Sequence, residues 1–186
     1  MKTSLGLLML VLLAGCDGST SATINTDEGD SQPSPTAAVC GSIENFEDAG
    51  NEHVAEGTEV EDYNSDPPTS GPHYARPADP GFFSTAPPAE QLVHNLEHGQ
   101  IVIHFAPDAP EETVTSLQGL LRDDAISVLV VPNENLSGTH EIILTAWTAL
   151  QRCEGFSEAD IDAFRAEFQG KGPENVGVPP FDSGAS

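Results

Sequence analysis

Hydrophobic positions are spread unevenly along this chain, and their spacing divides it into segments of different character. Leu5 to Ala14 form an apolar run. Residues 17–38 carry almost no large apolar side chain and consist mainly of Gly, Ser, Thr, Asp and Pro, a composition that predicts a flexible tether. Ile43, Phe46 and Val54 are then scattered among acids, and Val60 with Tyr63 predicts a short edge strand. From Pro67 to Pro88 prolines recur too densely for any helix to pass. An irregular segment of that length inside a compact domain is usually functional, and Tyr74, Phe82 and Phe83 indicate that it packs.

Periodicity takes over from residue 88. A helix is expected over 88–98, with Pro88 at its first position, Glu90 in its first turn and Gly99 as its stop. Leu92, Val93 and Leu96 form its apolar stripe, while Glu90, His94, Glu97 and His98 share another face. Residues 100–106 alternate as a strand, with Ile101, Ile103 and Phe105 on one side and Val102 and His104 on the other. Pro110-Glu111-Glu112 opens a second helix whose face is Val114, Leu117, Leu120 and Leu121. Residues 126–131 are almost continuously apolar, which predicts a central strand. Residues 133–138 read as a loop and 141–147 as a further strand. Ser157 starts a third helix faced by Ile161, Phe164 and Phe168. Residues 171–186 read as a C-terminal tail.

These elements predict a single small α+β domain over 39–170, with a mixed sheet of three to five strands packed with three helices and a Pro/Gly-rich loop region. The strands flanking the second helix should be parallel, and the last two should form an antiparallel hairpin. About 130 residues suffice for one core.

The first fifteen residues change the compartment. Lys2, the short apolar run and Leu13-Ala14-Gly15-Cys16 have the layout of a secretory signal. The run is shorter than the roughly 20 residues of a spanning helix. Leu-Ala-Gly-Cys resembles the bacterial lipobox, which implies cleavage before Cys16, lipid modification of Cys16 and a tether over 16–38. Asp17 resembles the signal that retains such proteins at an inner membrane. The protein is therefore expected outside the cytoplasm, anchored to a membrane through Cys16, on the periplasmic face or the cell surface. Losing residues 1–15 removes Lys2 and no acid, so a net charge of −24 becomes −25. So acidic a surface excludes nucleic-acid binding, which needs clustered Lys and Arg. In an oxidising compartment Cys40 and Cys153 read as a disulfide; two thiolate metal ligands are the alternative.

Four of the six histidines fall between residues 73 and 104. His94 and His98, four apart on a helix, can share one metal. His73 comes from a proline-stiffened loop, and His53 or Glu97 can complete the set. The chain beyond residue 15 contains no Met, so imidazole-bound Zn(II) or Cu(II) is the expected ion. His94-Asn95-Leu96-Glu97-His98 also fits His-x-x-Glu-His, in which Glu97 would be the general base of a zinc hydrolase. That reading stands behind metal binding without turnover, because such enzymes need a distant third ligand and a larger scaffold. A non-catalytic module that meets an envelope partner is the other alternative. His104 and His140 are expected to pack or face solvent rather than ligate.

Pro67-Pro68-Thr69-Ser70-Gly71-Pro72-His73-Tyr74 and Leu92-Val93-His94-Asn95-Leu96-Glu97-His98-Gly99, with the Ile101-Val102-Ile103 strand, resemble the bacterial "domain of unknown function 3105" family. The resemblance covers about residues 40–170 and extends to His53, Trp147 and the Cys40/Cys153 pair. It implies an exported or membrane-anchored protein and implies no activity. Gln100 stands where relatives often have a second small residue, a departure not expected to touch a side-chain site.

Overall fold

The computed structural model describes residues 39–136, 140–174 and 176–182. The leader, Cys16 and the tether lie outside the described residues. In chain order the elements are β1 (Glu44–Asn45), β2 (His53–Val54), β3 (His73–Tyr74), β4 (Gly81–Phe82), α1 (Ala89–Glu97), β5 (Ile101–Phe105), α2 (Glu111–Asp123), β6 (Val128–Pro132), β7 (Ile142–Ala146), β8 (Ala149–Cys153) and α3 (Glu158–Phe168). They build an α+β domain with a mixed six-stranded sheet, ordered β1-β8-β7-β5-β6-β4, and a separate two-stranded sheet of β2 and β3. The sheets hold more strands than expected because four strands of two residues each escape any periodic signal. None of the described helices is long and apolar enough to cross a membrane.

Alternation along β5 decides the layers. Ile101, Ile103 and Phe105 pack with Leu117 and Leu120 of α2 and with Ile161 and Phe164 of α3. Val102, on the opposite face, packs with Leu92 and Leu96 of α1. Two helices therefore cover one face of the sheet, and α1 with the proline-rich loop covers the other. Each fully buried Leu or Ile contributes roughly 1.5–3 kcal/mol, so β5 and β6, buried on both faces, anchor the domain.

Three expectations about strands are corrected. β6 runs parallel to β5 as predicted, but β6 and β7 are not a hairpin: β7 pairs with the far side of β5, antiparallel. The connection after β6 is long enough to carry the chain past β5, where a short turn would have forced neighbours together. β6 is buried on both faces yet lies one place from the sheet edge, next to β4. No strand forms at Val60 and Tyr63. Val60 instead donates its N–H to Glu90 Oε1, and the Tyr63 hydroxyl donates to the Pro72 carbonyl.

β8 follows β7 through Trp147 and Thr148, and its other edge carries β1. There a disulfide joins Cys40 to Cys153, so the cysteines are spent on each other and are not thiolate ligands. Hydrogen bonds from Gly41 N–H to Arg152 and from Glu154 N–H to Val39 flank it.

Residues 170–174 fold back over the end of α1. Gly170 N–H donates to Gly99 O and Glu174 N–H to Glu97 O, at 2.8 and 3.0 Å. Gly172 lies so close that a Cβ there would collide with the Glu97 carbonyl oxygen and the Gly99 nitrogen. Gly99 itself has φ +87°, a left-handed conformation suited to glycine at a helix end. Arg165 caps this region with its guanidinium carbon 4.2 Å from the Phe181 ring centre.

Candidate metal centre

α1 is buried nearly all round. Its apolar stripe meets the sheet, and the face expected to point elsewhere meets the β2–β3 ladder. That ladder is parallel and pairs His53 with His73 in register. His73 reaches it from the loop of prolines, whose fixed φ values limit where the chain can wander. Asn95 fastens the same loop to α1: its side chain accepts from Ala78 N–H and donates to the Ala78 carbonyl and to Gln100 Oε1. Gln100 in turn donates to Ile126 O. It thus braces the loop without touching a histidine.

The result is a histidine cluster around one carboxylate. The rings of His53 and His73, His53 and His94, and His73 and His94 have centres 5.0, 5.2 and 5.0 Å apart. His73 is fully buried, and Glu97 is 1% exposed. His53, His73, His94 and Glu97 each offer a ligand atom within 4.8 Å of the others. His94, Glu97, His98 and Glu174 form a second such group. All five residues expected at the site thus come together, with His98 in the second group rather than the first.

The hydrogen bonds fix which nitrogen of each ring faces inward. His73 Nδ1 lies 2.8 Å from the Gly71 carbonyl oxygen, and His94 Nδ1 lies 2.5 Å from that of Tyr74. A carbonyl only accepts, so both rings carry a proton on Nδ1, the arrangement that backbone acceptors impose on metal-binding histidines. Their Nε2 atoms point into the cluster. His73 Nε2 is 3.0 Å from Glu97 Oε2, and His94 Nε2 is 2.9 Å from His98 Nε2. Burial holds the pKa of His94 below the ordinary histidine value, an effect its bond to Tyr74 only partly offsets. His94 is thus favoured as neutral imidazole, the form that binds metals. Asn51 donates to the other oxygen of Glu97 at 2.9 Å.

A family model spans the segment that carries this cluster. The model described as "Protein of unknown function (DUF3105)" matches residues 53–179, from the first cluster histidine to beyond Glu174. The chain belongs to the DUF3105 family. Comparison with curated proteins and with solved structures returned no match. Within the DUF3105 match lie both of the long motifs, Trp147 and the whole cluster. Trp147, from the β7–β8 turn, stands edge-on to His73 with ring centres 6.3 Å apart and donates Nε1–H to Asp48.

Asn51 and Glu174 were not foreseen. Asn51 had a signal, since an extended chain puts residues 51 and 53 on one side. Glu174 had none, because only the fold-back of the segment after α3 brings it to α1.

His104 lies outside the cluster, as expected. It is buried, its Nε2 is 3.3 Å from Thr145 Oγ1, and it lines a cavity of about 400 Å³ between α1 and the sheet. Burial pushes its pKa down to about 3. Between that value and the unfolded value of about 6.5, the unfolded chain binds more protons, so folded stability falls as pH falls. Lowering the pH from 6.5 to 5 should cost the protein about 1–2 kcal/mol through this residue alone. Urea unfolding of the protein and of His104→Leu at both pH values measures it. An unchanged acid sensitivity in the variant would show that His104 is not the source.

Proposed function

We propose that this DUF3105 protein is an exported, membrane-anchored binder of a transition metal, Zn(II) or Cu(II), held without turnover by His53, His73, His94 and Glu97. One observation carries the reading. Backbone carbonyls commit the Nδ1 protons of His73 and His94, which turns both Nε2 atoms into the cluster; His73 Nε2 and the buried Glu97 Oε2, 3.0 Å apart, need a cation between them, a proton in the metal-free protein and a metal ion in its place. The Nε2 atoms and the Glu97 carboxylate form the mixed nitrogen and oxygen set suited to Zn(II) and Cu(II). The disulfide suits an oxidising compartment. Glu97 is engaged by Asn51 and His73, which favours a ligand role over that of a base on water.

Anchoring and metal binding are tested together. Cys16→Ser should move the protein from the membrane to the soluble fraction. That soluble protein, incubated with Zn(II) or Cu(II) and desalted, should retain one equivalent by elemental analysis, and His73→Ala should retain none. A folded protein that stays metal-free, and is indifferent to His73→Ala, would leave the histidines as a packing cluster.

A further inference from the structure

The two ligand groups overlap, and the overlap limits what they can hold. His94 and Glu97 belong to both. His94 has a single lone pair to give, on Nε2, because its Nδ1 proton is committed to Tyr74 O. One nitrogen lone pair serves one ion. The inner group (His53, His73, His94, Glu97) and the outer group (His94, Glu97, His98, Glu174) therefore cannot both be filled through His94.

We infer that they are alternate seats for one divalent transition-metal ion, the outer taking it up and the inner retaining it; the inference rests on the metal-binding reading above. In the hand-off, His94 and Glu97 keep hold of the ion while His98 and Glu174 are exchanged for His53 and His73. No electron moves; the ion displaces the proton between His94 Nε2 and His98 Nε2 on uptake and the one between His73 Nε2 and Glu97 on retention, and both leave to solvent. Accessibility gives the direction: each seat has one exposed ligand, His53 in the inner and Glu174 in the outer, but the outer seat's own histidine, His98, is half-buried where the inner seat's His73 is fully buried. The placement of Glu174 is built into the backbone. Its N–H is bonded to Glu97 O, and Gly172 beside it admits no side chain. The acidic surface, with a formal net charge of −24 for the whole chain, draws cations toward that opening.

The sole tryptophan reports arrival, since Trp147 stands 6.3 Å from His73 and bound Cu(II) quenches indole fluorescence. Metal-free protein is mixed with Cu(II) in a stopped-flow instrument, and release is followed on mixing with a chelator. Wild type should bind one Cu(II) per chain. Glu174→Gln and His98→Ala should slow uptake and release together, each by roughly tenfold, the lower end of what a charged funnel supplies. Their Kd should therefore move much less than their rates, whereas His73→Ala should lose affinity outright. Two ions per chain would overturn the shared-seat inference. So would unchanged rates in both variants, or a Glu174→Gln Kd weakened as far as that of His73→Ala. Failure of the underlying metal reading looks different: wild type itself would show neither bound Cu(II) nor quenching.

Discussion

His94→Ala is expected to abolish the metal-dependent rise in melting temperature. A ligand present at a hundredfold its Kd stabilises the folded state by about 2.7 kcal/mol, which for a domain of this size class raises Tm by roughly 5–10 °C. His94 is the residue to remove because it belongs to both ligand groups. Losing even an outer-sphere partner typically costs 10–100-fold in affinity, so losing this ring should cost at least about 100-fold. The variant also leaves the Tyr74 carbonyl without its partner, a penalty of about 1–3 kcal/mol that lowers Tm with or without metal. The informative quantity is thus the difference between melts with and without Zn(II), taken for wild type and variant alike. A variant that keeps the full increment would refute the assignment of His94.

Reduction of the Cys40–Cys153 disulfide is expected to have the largest effect on stability. The bridge spans 113 residues of sequence, and on the chain-entropy model a loop of that size is worth on the order of 4–5 kcal/mol. Tm should fall by roughly 10–20 °C in a reductant or in the Cys40→Ser/Cys153→Ser variant. The loss has a place in the structure: residues 39–45 lie along the β8 edge, and Asp160 accepts from Val39 and Cys40 N–H. The cluster at 53, 73, 94 and 97 lies outside that edge, so metal affinity of the still-folded reduced protein should be nearly unchanged. A reduced protein that remains folded but loses its metal would contradict this separation of roles.

What could be read from sequence follows from how long each pattern runs. The three helices bury residues at a helical period and the strands at 101–105, 128–132 and 142–146 are runs of buried residues, so each lies close to where the pattern puts it, although Ile126, read as the start of the second strand, is exposed before it. Two-residue strands have no period to detect. β8 reads Ala-Leu-Gln-Arg-Cys, with only its ends and Leu150 buried, and its turn lacks the Asn-Gly or Asp-Gly that marks a hairpin: Thr148 takes φ 58° instead. Strand order failed because nearness in sequence was read as nearness in the sheet. For the cluster, residue types and helical spacing disclosed His94, Glu97 and His98, and a stiff loop disclosed His73. Neither disclosed the carbonyls of Gly71 and Tyr74, which set the tautomers, or Glu174, which depends on a backbone approach only Gly172 allows.

The β2–β3 ladder has a topological consequence. A pairing of two residues on each strand cannot stand by itself, so His53 stays beside His73 only while something ties it to α1. In the proposed metal-bound state, an ion held by residues 53, 73, 94 and 97 would close a ring of chain nested wholly inside the covalent ring closed at residues 40 and 153. The outer ring would open to a reductant and the inner one to a chelator, so the two closures would come undone in either order.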